Sequence, residues 1–208
     1  MNERNEQWLE KVRRIQALAR TGLTYGTGPY DLERYQELDQ LSMELMADLG
    51  QRPVETLETL LVREPGYQTP KTGVRCMIFD GDRFLMVRDK EDERWAPPGG
   101  WCDIGFRPSE IAALEVQQEA GLEVAVTRLL AVYASRFHGH LPRSEHIYKL
   151  FFQCEITGGE LRPGLETSEV AYFHRNELPP LSADKITPIE IHQCFELKAD
   201  PALPAYFD

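Results

Sequence analysis

Gly99 to Gly121 reads GGWCDIGFRPSEIAALEVQQEAG, a glycine loop feeding one helix. Two glycines after Pro97-Pro98 let the backbone come close to a ligand. Pro108 suits the first helical position, Glu110 complements the positive end of the helix dipole, and Gly121 fits the left-handed cap beyond the last turn. Arg107, at the cap position, has no oxygen to offer. Glu115 and Glu119 are four apart, so both carboxylates project from one face, while Ala113, Val116 and Ala120 point away from it. Two acids so placed repel. Their neighbours on that face are Ile111, Ala112 and Gln118, so the helix supplies no cation. Mg²⁺ takes oxygen ligands, commonly one or two carboxylates plus substrate phosphate, and would supply the missing charge.

These residues carry a resemblance to the Nudix hydrolase box, Gly-x5-Glu-x7-Arg-Glu-apolar-x-Glu-Glu-x-Gly-apolar. Laid on Gly100, the chain keeps the glycine, Glu115, Val116, Glu119, Gly121 and Leu122. It has Phe106, Leu114 and Gln118 where the box has Glu, Arg and Glu. Other stretches are similar to the bacterial branch of CDP-choline and ADP-ribose pyrophosphatase-like enzymes. They are WLEKVRRIQALARTGLTY, YDLERYQEL, WAPPGGWCDIG, GGELRPGLETSEVAYF and ELPPLSADKIT. In that branch the loop commonly reads Gly-Gly-Trp-x-Asp-x-Gly, which Asp103 matches.

The resemblance implies an α/β Nudix fold, a mixed β-sheet between helices in an α/β/α sandwich, preceded by a small all-helical domain. It also implies Mg²⁺, with Mn²⁺ as the alternative. The Gly100 carbonyl, Glu115, Glu119 and Glu166 would hold the metal, and Glu119 and Glu166 would serve as catalytic carboxylates. Glu169 lies three residues from Glu166 and is of the same type. Phe106 and Leu114 replace box residues of opposite charge, so they are expected to form a compensated apolar pair. Gln118 offers an amide where the box has a charge.

The 208 residues are enough for one large or two small domains with a substantial core. A net charge of −11 argues against sequence-independent nucleic-acid binding and against anionic membranes, both of which need a basic surface. Cys76, Cys102, Cys154 and Cys194 show no CxxC spacing, and charges run from Glu3 to Arg20 where a signal peptide has its apolar core. A cytoplasmic protein with free thiols is expected. No apolar run reaches the ~18 to 20 residues needed to span a bilayer.

Along the chain, Trp8, Val12, Ile15 and Ala19 form a helical stripe that is expected to end near Gly22. A second helix carries Leu38, Leu41 and Leu45 and runs to Gly50; Pro53 opens a short third helix through Leu60. These helices have apolar faces wider than they need for each other, and the resemblance implies a homodimerisation arm. The division is therefore 1–66, N-terminal helical domain, and 67–208, Nudix domain, with the boundary in the Pro- and Gly-containing stretch from Glu64 to Thr72. Strands follow at Gly73–Phe79 and Phe84–Arg88, around the hairpin signal Asp80-Gly81. Further strands lie at Glu123–Tyr133, Ile147–Ile156 and Val170–Phe173. Thr187 caps a helix from Pro188 to about Leu197, and Pro201–Asp208 reads as a tail.

Several residues are open to two readings. His138, His140 and His146 form an HxH-type group around a loop, suited to a transition metal or to an ordinary surface. Arg75 and Arg88 can meet a diphosphate or stay solvated. Trp95, Trp101 and Phe106 surround the glycine loop, where an aromatic face can pack, stack a base or hold a quaternary ammonium. The chain as a whole reads as a Mg²⁺-dependent hydrolase of a small-molecule nucleoside diphosphate derivative, such as CDP-choline, ADP-ribose or a nucleotide sugar. The products would be a nucleoside monophosphate and a phosphorylated group. The rival reading, motivated by Phe106, Leu114 and Gln118, is a catalytically weak Nudix-fold nucleotide sensor.

Overall fold

The computed structural model describes residues 3–50, 67, 69–140 and 146–208. The chain divides into two compact units, one ending at Thr69 and one beginning at Pro70. The short helix expected from Pro53 to Leu60 lies outside the described residues.

The first unit is a helical hairpin of α1 (Glu3–Tyr25) and α2 (Pro29–Gly50). Helix α1 continues through Gly22 instead of stopping there. A side chain on Gly22 would overlap the Tyr35 ring, so this glycine serves close helix approach and not termination. Leu9, Val12, Gln16 and Ala19 are the buried face of α1, and Ser42, Met43, Met46 and Ala47 that of α2. The buried face is thus rotated from the expected stripes: Val12 and Ala19 are inside, whereas Trp8, Ile15, Leu38, Leu41 and Leu45 are exposed. Both helices carry apolar residues on two sides, so 3.6-residue periodicity alone could not select the inner one. Arg20 donates from Nε to Asp39 Oδ1 at 2.9 Å, a largely buried ion pair that ties the two helices.

The second unit holds two four-stranded sheets where one mixed sheet was expected. Its elements are β1 (Lys71–Met77), β2 (Phe79–Asp80), β3 (Arg83–Asp89), β4 (Trp95–Ala96), α3 (Pro108–Ala120), β5 (Leu122–Ala134), β6 (Ile147–Gly159), β7 (Thr167–His174), α4 (Pro188–Ala199) and β8 (Tyr206–Phe207). The first sheet has the order β1-β6-β5-β8, with β1 parallel to β6, β6 antiparallel to β5, and β5 parallel to β8. In the second, β2, β4 and β7 all pair antiparallel with β3. The β2–β3 hairpin turns at Gly81-Asp82, one residue later than the Asp80-Gly81 reading, because Asp80 pairs with Arg83.

Phe84, Leu85, Met86 and Val87 of β3 are all buried, an unbroken apolar run suited to a strand covered on both faces. One face sends Phe84 and Met86 to a core with Ile191, Cys194 and Phe195 of α4. The other sends Leu85 and Val87 to a core with Ile111, Ala112, Val116 and Ala120 of α3. Helices therefore cover both faces, the α/β/α arrangement expected from the sequence. Thr187 accepts from Glu190 N and Glu190 Oε2 accepts from Thr187 N, a reciprocal cap that starts α4.

The expected C-terminal tail is instead structured. Tyr206 and Phe207 pair with Ala131 and Val132, and the Asp208 carboxylate accepts from Ala134 N at 2.6 Å. Two residues are too few for a strand period to show in sequence.

Candidate active site

Helix α3 places the acids. Arg107 N donates to Glu110 Oε2 at 2.8 Å, supplying from the third helical residue the cap that Arg107 lacks. At the far end Gly121 takes φ 71° and donates to Gln117 O. Burial of Ile111, Ala112, Val116 and Ala120 fixes the rotation of the helix, which turns Glu115 and Glu119 toward the glycine loop.

The loop meets them with its backbone. Gly99 N donates to Glu119 Oε2 at 2.8 Å. A methyl group on Gly100 would overlap the Glu115 carboxylate, and one on Gly99, at φ 152°, would overlap Val74 O. The loop is sewn to β1 by Val74 N donating to Gly100 O and Cys76 N donating to Pro98 O, both at 2.8 Å. Beneath it Arg75 donates from Nη1 to Gly99 O at 2.5 Å and to Pro97 O at 3.3 Å.

Burial, followed by repulsion from Glu119, pushes the Glu115 carboxyl up to about 7. Burial also raises Glu119, against the opposing pull of Arg75 and of the Gly99 amide. Burial lowers Arg75, while Glu119 and Glu115 sustain its charge. The cation absent from the helix is therefore partly supplied by a strand, which the helical spacing alone did not reveal.

Glu166 is carried by a loop latched to the end of α3. Glu160 N donates to Gly121 O, Arg162 N to Ala120 O, and Thr167 Oγ1 to Glu119 O. Gly164 lies so close that a methyl group there would overlap Gln118 O. Lys90 N donates to Glu166 O at 3.0 Å and Lys90 Nζ to Leu165 O at 2.6 Å. Glu166 is exposed and close enough to act on the charge of both helix acids. Glu169 is engaged elsewhere, accepting from Arg88 Nη1 at 2.6 Å. The two strand arginines thus separate: Arg75 faces the acids and Arg88 pairs with Glu169.

Among the described residues, no three His, Cys, Asp or Glu side chains close into a metal-holding group by themselves. The expected set of Gly100, Glu115, Glu119 and Glu166 is therefore gathered only in part. The Gly100 carbonyl accepts from Val74 N and keeps a second lone pair, and Glu166 acts on the pair through its charge. Two crowded, partly desolvated carboxylates remain, a donor set that fits a hard cation keeping water and substrate oxygens among its ligands.

Other readings resolve differently. Trp95 is buried edge-on against Phe173, with ring centroids 4.6 Å apart, and is a core residue. Trp101 is exposed, with Lys71 Nζ 5.8 Å from its ring centre. Phe106 and Leu114 are 56% and 37% exposed, so the buried-pair argument does not hold for them. Two of the three histidines are structural: His138 Nε2 lies 2.7 Å from Asp208 Oδ1, and His140 Nε2 lies 2.7 Å from the buried Glu190 Oε1, while His146 is exposed against the Tyr148 ring.

Comparison with known proteins agrees with this geometry. Residues 69–192 match the NUDIX domain model, and residues 6–61 match the model of a UDP-X-like N-terminal oligomerisation domain. A Bacillus subtilis (strain 168) protein described as a candidate ADP-ribose pyrophosphatase, YjhB, is 41% identical over 202 residues, 97% of each chain. An ADP-ribose pyrophosphatase of Methanocaldococcus jannaschii is 31% identical over 57% of this chain and 70% of its own. The crystal structure of a UDP-X diphosphatase superposes with a TM-score of 0.64 at 29% identity, covering 98% of this chain and 99% of the other. No helix among the described residues is long and apolar enough to cross a membrane. With the NUDIX match spanning more than half its length, the chain belongs to the Nudix hydrolase family and is a Nudix pyrophosphatase.

Proposed function

We propose that this enzyme is a Mg²⁺-dependent hydrolase, with Mn²⁺ as the alternative ion, that splits the diphosphate of a nucleoside diphosphate joined to another group. The observation that carries the reading is the pair Glu115 and Glu119, crowded against the glycine loop, with Glu119 held there by Gly99 N–H. A bound divalent ion would neutralise the diphosphate and lower the pKa of the attacking water. Glu115 and Glu119 would bind that ion, and the exposed Glu166 would take the proton the water gives up. Water oxygen joins one phosphorus, the bridging P–O bond breaks, and the products are a nucleoside monophosphate and the phosphorylated second group. ADP-ribose, the substrate named for relatives, heads the panel to test, with CDP-choline and nucleotide sugars beside it. Product release in Mg²⁺ or Mn²⁺ but not in EDTA is the expected result; tight nucleotide binding without turnover would favour the sensor reading.

Gln118 is exposed on α3 beside the acids and brings no charge. Gln118→Glu is expected to lower the half-saturating Mg²⁺ concentration several-fold, since cation affinity follows ligand charge count. A metal titration of initial rates with unchanged half-saturation would remove Gln118 from the site.

The first unit supports a homodimer. Trp8, Ile15, Leu18, Leu38, Leu41 and Leu45 are exposed on a hairpin whose inner face is already filled. Such area suits a second copy, and the domain is similar to one described as oligomerising. Light scattering at tens of micromolar is expected to give twice the 23.9 kDa chain mass; the mass of one chain would refute the assignment.

A further inference from the structure

The buried guanidinium under the glycine loop does something that the acids cannot do for themselves. Arg75 sits on β1 opposite Phe151, so its stem rises from the sheet while its head meets the loop from below. Its Nη1 donates to both Gly99 O and Pro97 O, two carbonyls bracketing the bend of the loop. The amide of the same Gly99 holds Glu119 Oε2. Guanidinium, peptide and carboxylate thus form one chain of contacts through a single residue.

We propose that Arg75 is a positioning residue: by clamping the Pro97 and Gly99 carbonyls it fixes the peptide whose N–H presents Glu119 to the reacting centre. This rests on the hydrolase reading above. The geometry distinguishes it from a plain counter-charge. Both bonds come from the one nitrogen Nη1, whose two N–H groups lie in the fixed plane of the guanidinium and so serve two acceptors in a set geometry, whereas an ammonium is a point charge on a flexible stem. The surroundings are equally close, because Gly99 has no room for a side chain against Val74 O. Val74 N and Cys76 N still hold Gly100 O and Pro98 O to β1, so losing the clamp leaves the loop in place and frees the tilt of the backbone at Gly99, and with it the aim of the N–H that holds Glu119. Misplacement by about 1 Å at such a site costs about 10²-fold in rate.

The test compares native full-length protein with Arg75→Lys and Arg75→Met, with thermal melts as the check on folding. Initial rates on the best substrate of the panel and Mn²⁺ binding followed by electron paramagnetic resonance are the two readouts. Positioning predicts that kcat falls about 10²-fold in both variants with KM changed little, so that lysine does not rescue. It also predicts that Mn²⁺ binds several-fold more weakly in Arg75→Met, although a positive charge has been removed beside two carboxylates. A counter-charge role predicts the opposite on both counts: lysine restores kcat, and Arg75→Met binds Mn²⁺ more tightly. Either of those results overturns the proposal. Should Arg75→Met fail to fold, the lysine variant alone decides through its kcat. A native protein that neither hydrolyses the panel nor binds Mn²⁺ would instead overturn the hydrolase reading.

Discussion

Glu119→Gln is expected to lower kcat by about 10³-fold or more, the loss of a single carboxylate from a catalytic constellation reaching about 10⁴-fold. The substitution keeps shape and keeps an oxygen to accept from Gly99 N, so the loop has no reason to move. Only the charge goes, from a site where Gln118 already lacks one. Glu115→Gln is expected to act likewise, and it adds a stability signature. The native Glu115 carboxyl is raised from 4.5 to about 7 by burial and by Glu119. Between those values the folded state binds more protons than the unfolded one, so stability falls as pH rises through that window. In EDTA, native protein should therefore lose stability from pH 5 to pH 8 more steeply than Glu115→Gln, and at pH 8 the inactive variant should be the more stable. Urea denaturation at the two pH values decides. Equal pH slopes would mean that the Glu115 carboxyl is not raised, and native turnover by Glu119→Gln at equal Mg²⁺ would remove Glu119 from the mechanism.

Adjacent glycines are expected to fail in different ways. A methyl group on Gly100 meets the carboxylate end of Glu115, the far tip of a flexible side chain. Gly100→Ala should consequently fold and swing Glu115 aside, with kcat reduced about 10²-fold. A methyl group on Gly99 meets the Val74 carbonyl, backbone of β1, at a φ that side chains rarely adopt. Gly99→Ala should cost about 3 kcal/mol or more in folding stability, from strain and overpacking together. Urea midpoints and rates measured on both variants separate the cases. Full activity in Gly100→Ala would mean that Glu115 does not need its observed position.

Much of this site was legible in the sequence because it is local. Pro108, the four-residue spacing of Glu115 and Glu119, and Gly121 fix a helix and its reactive face within one short segment. The partners that come from elsewhere were not legible. Arg75 and Arg88 look alike in sequence, each on an apolar strand, and only the strand pairing, which puts them in different sheets, sends one to the acids and the other to Glu169. Trp95 and Trp101 flank the same loop, yet one joins the core and the other stays exposed. Phe106 and Leu114 invited a buried-pair reading that exposure removes. The division into two sheets depends on β3 pairing with β7 across the chain, a non-local choice that no window of residues contains.

That pairing also governs how the protein can be made. Val87 finds Val170 and Phe84 finds Phe173 only after β7 has been synthesised, and Val74 must wait for Leu150. At about 5–20 residues per second, an emerging chain carries the apolar run Phe84–Val87 unpaired by β7 for several seconds. The β5–β6 hairpin can close on its own, but neither sheet is complete before the polypeptide is nearly finished. Long-range pairing of this kind slows folding and lengthens exposure to aggregation. A nascent molecule of this enzyme is therefore expected to keep the apolar run of β3 without its β7 partner until late in synthesis, and slower elongation is expected to lengthen that interval.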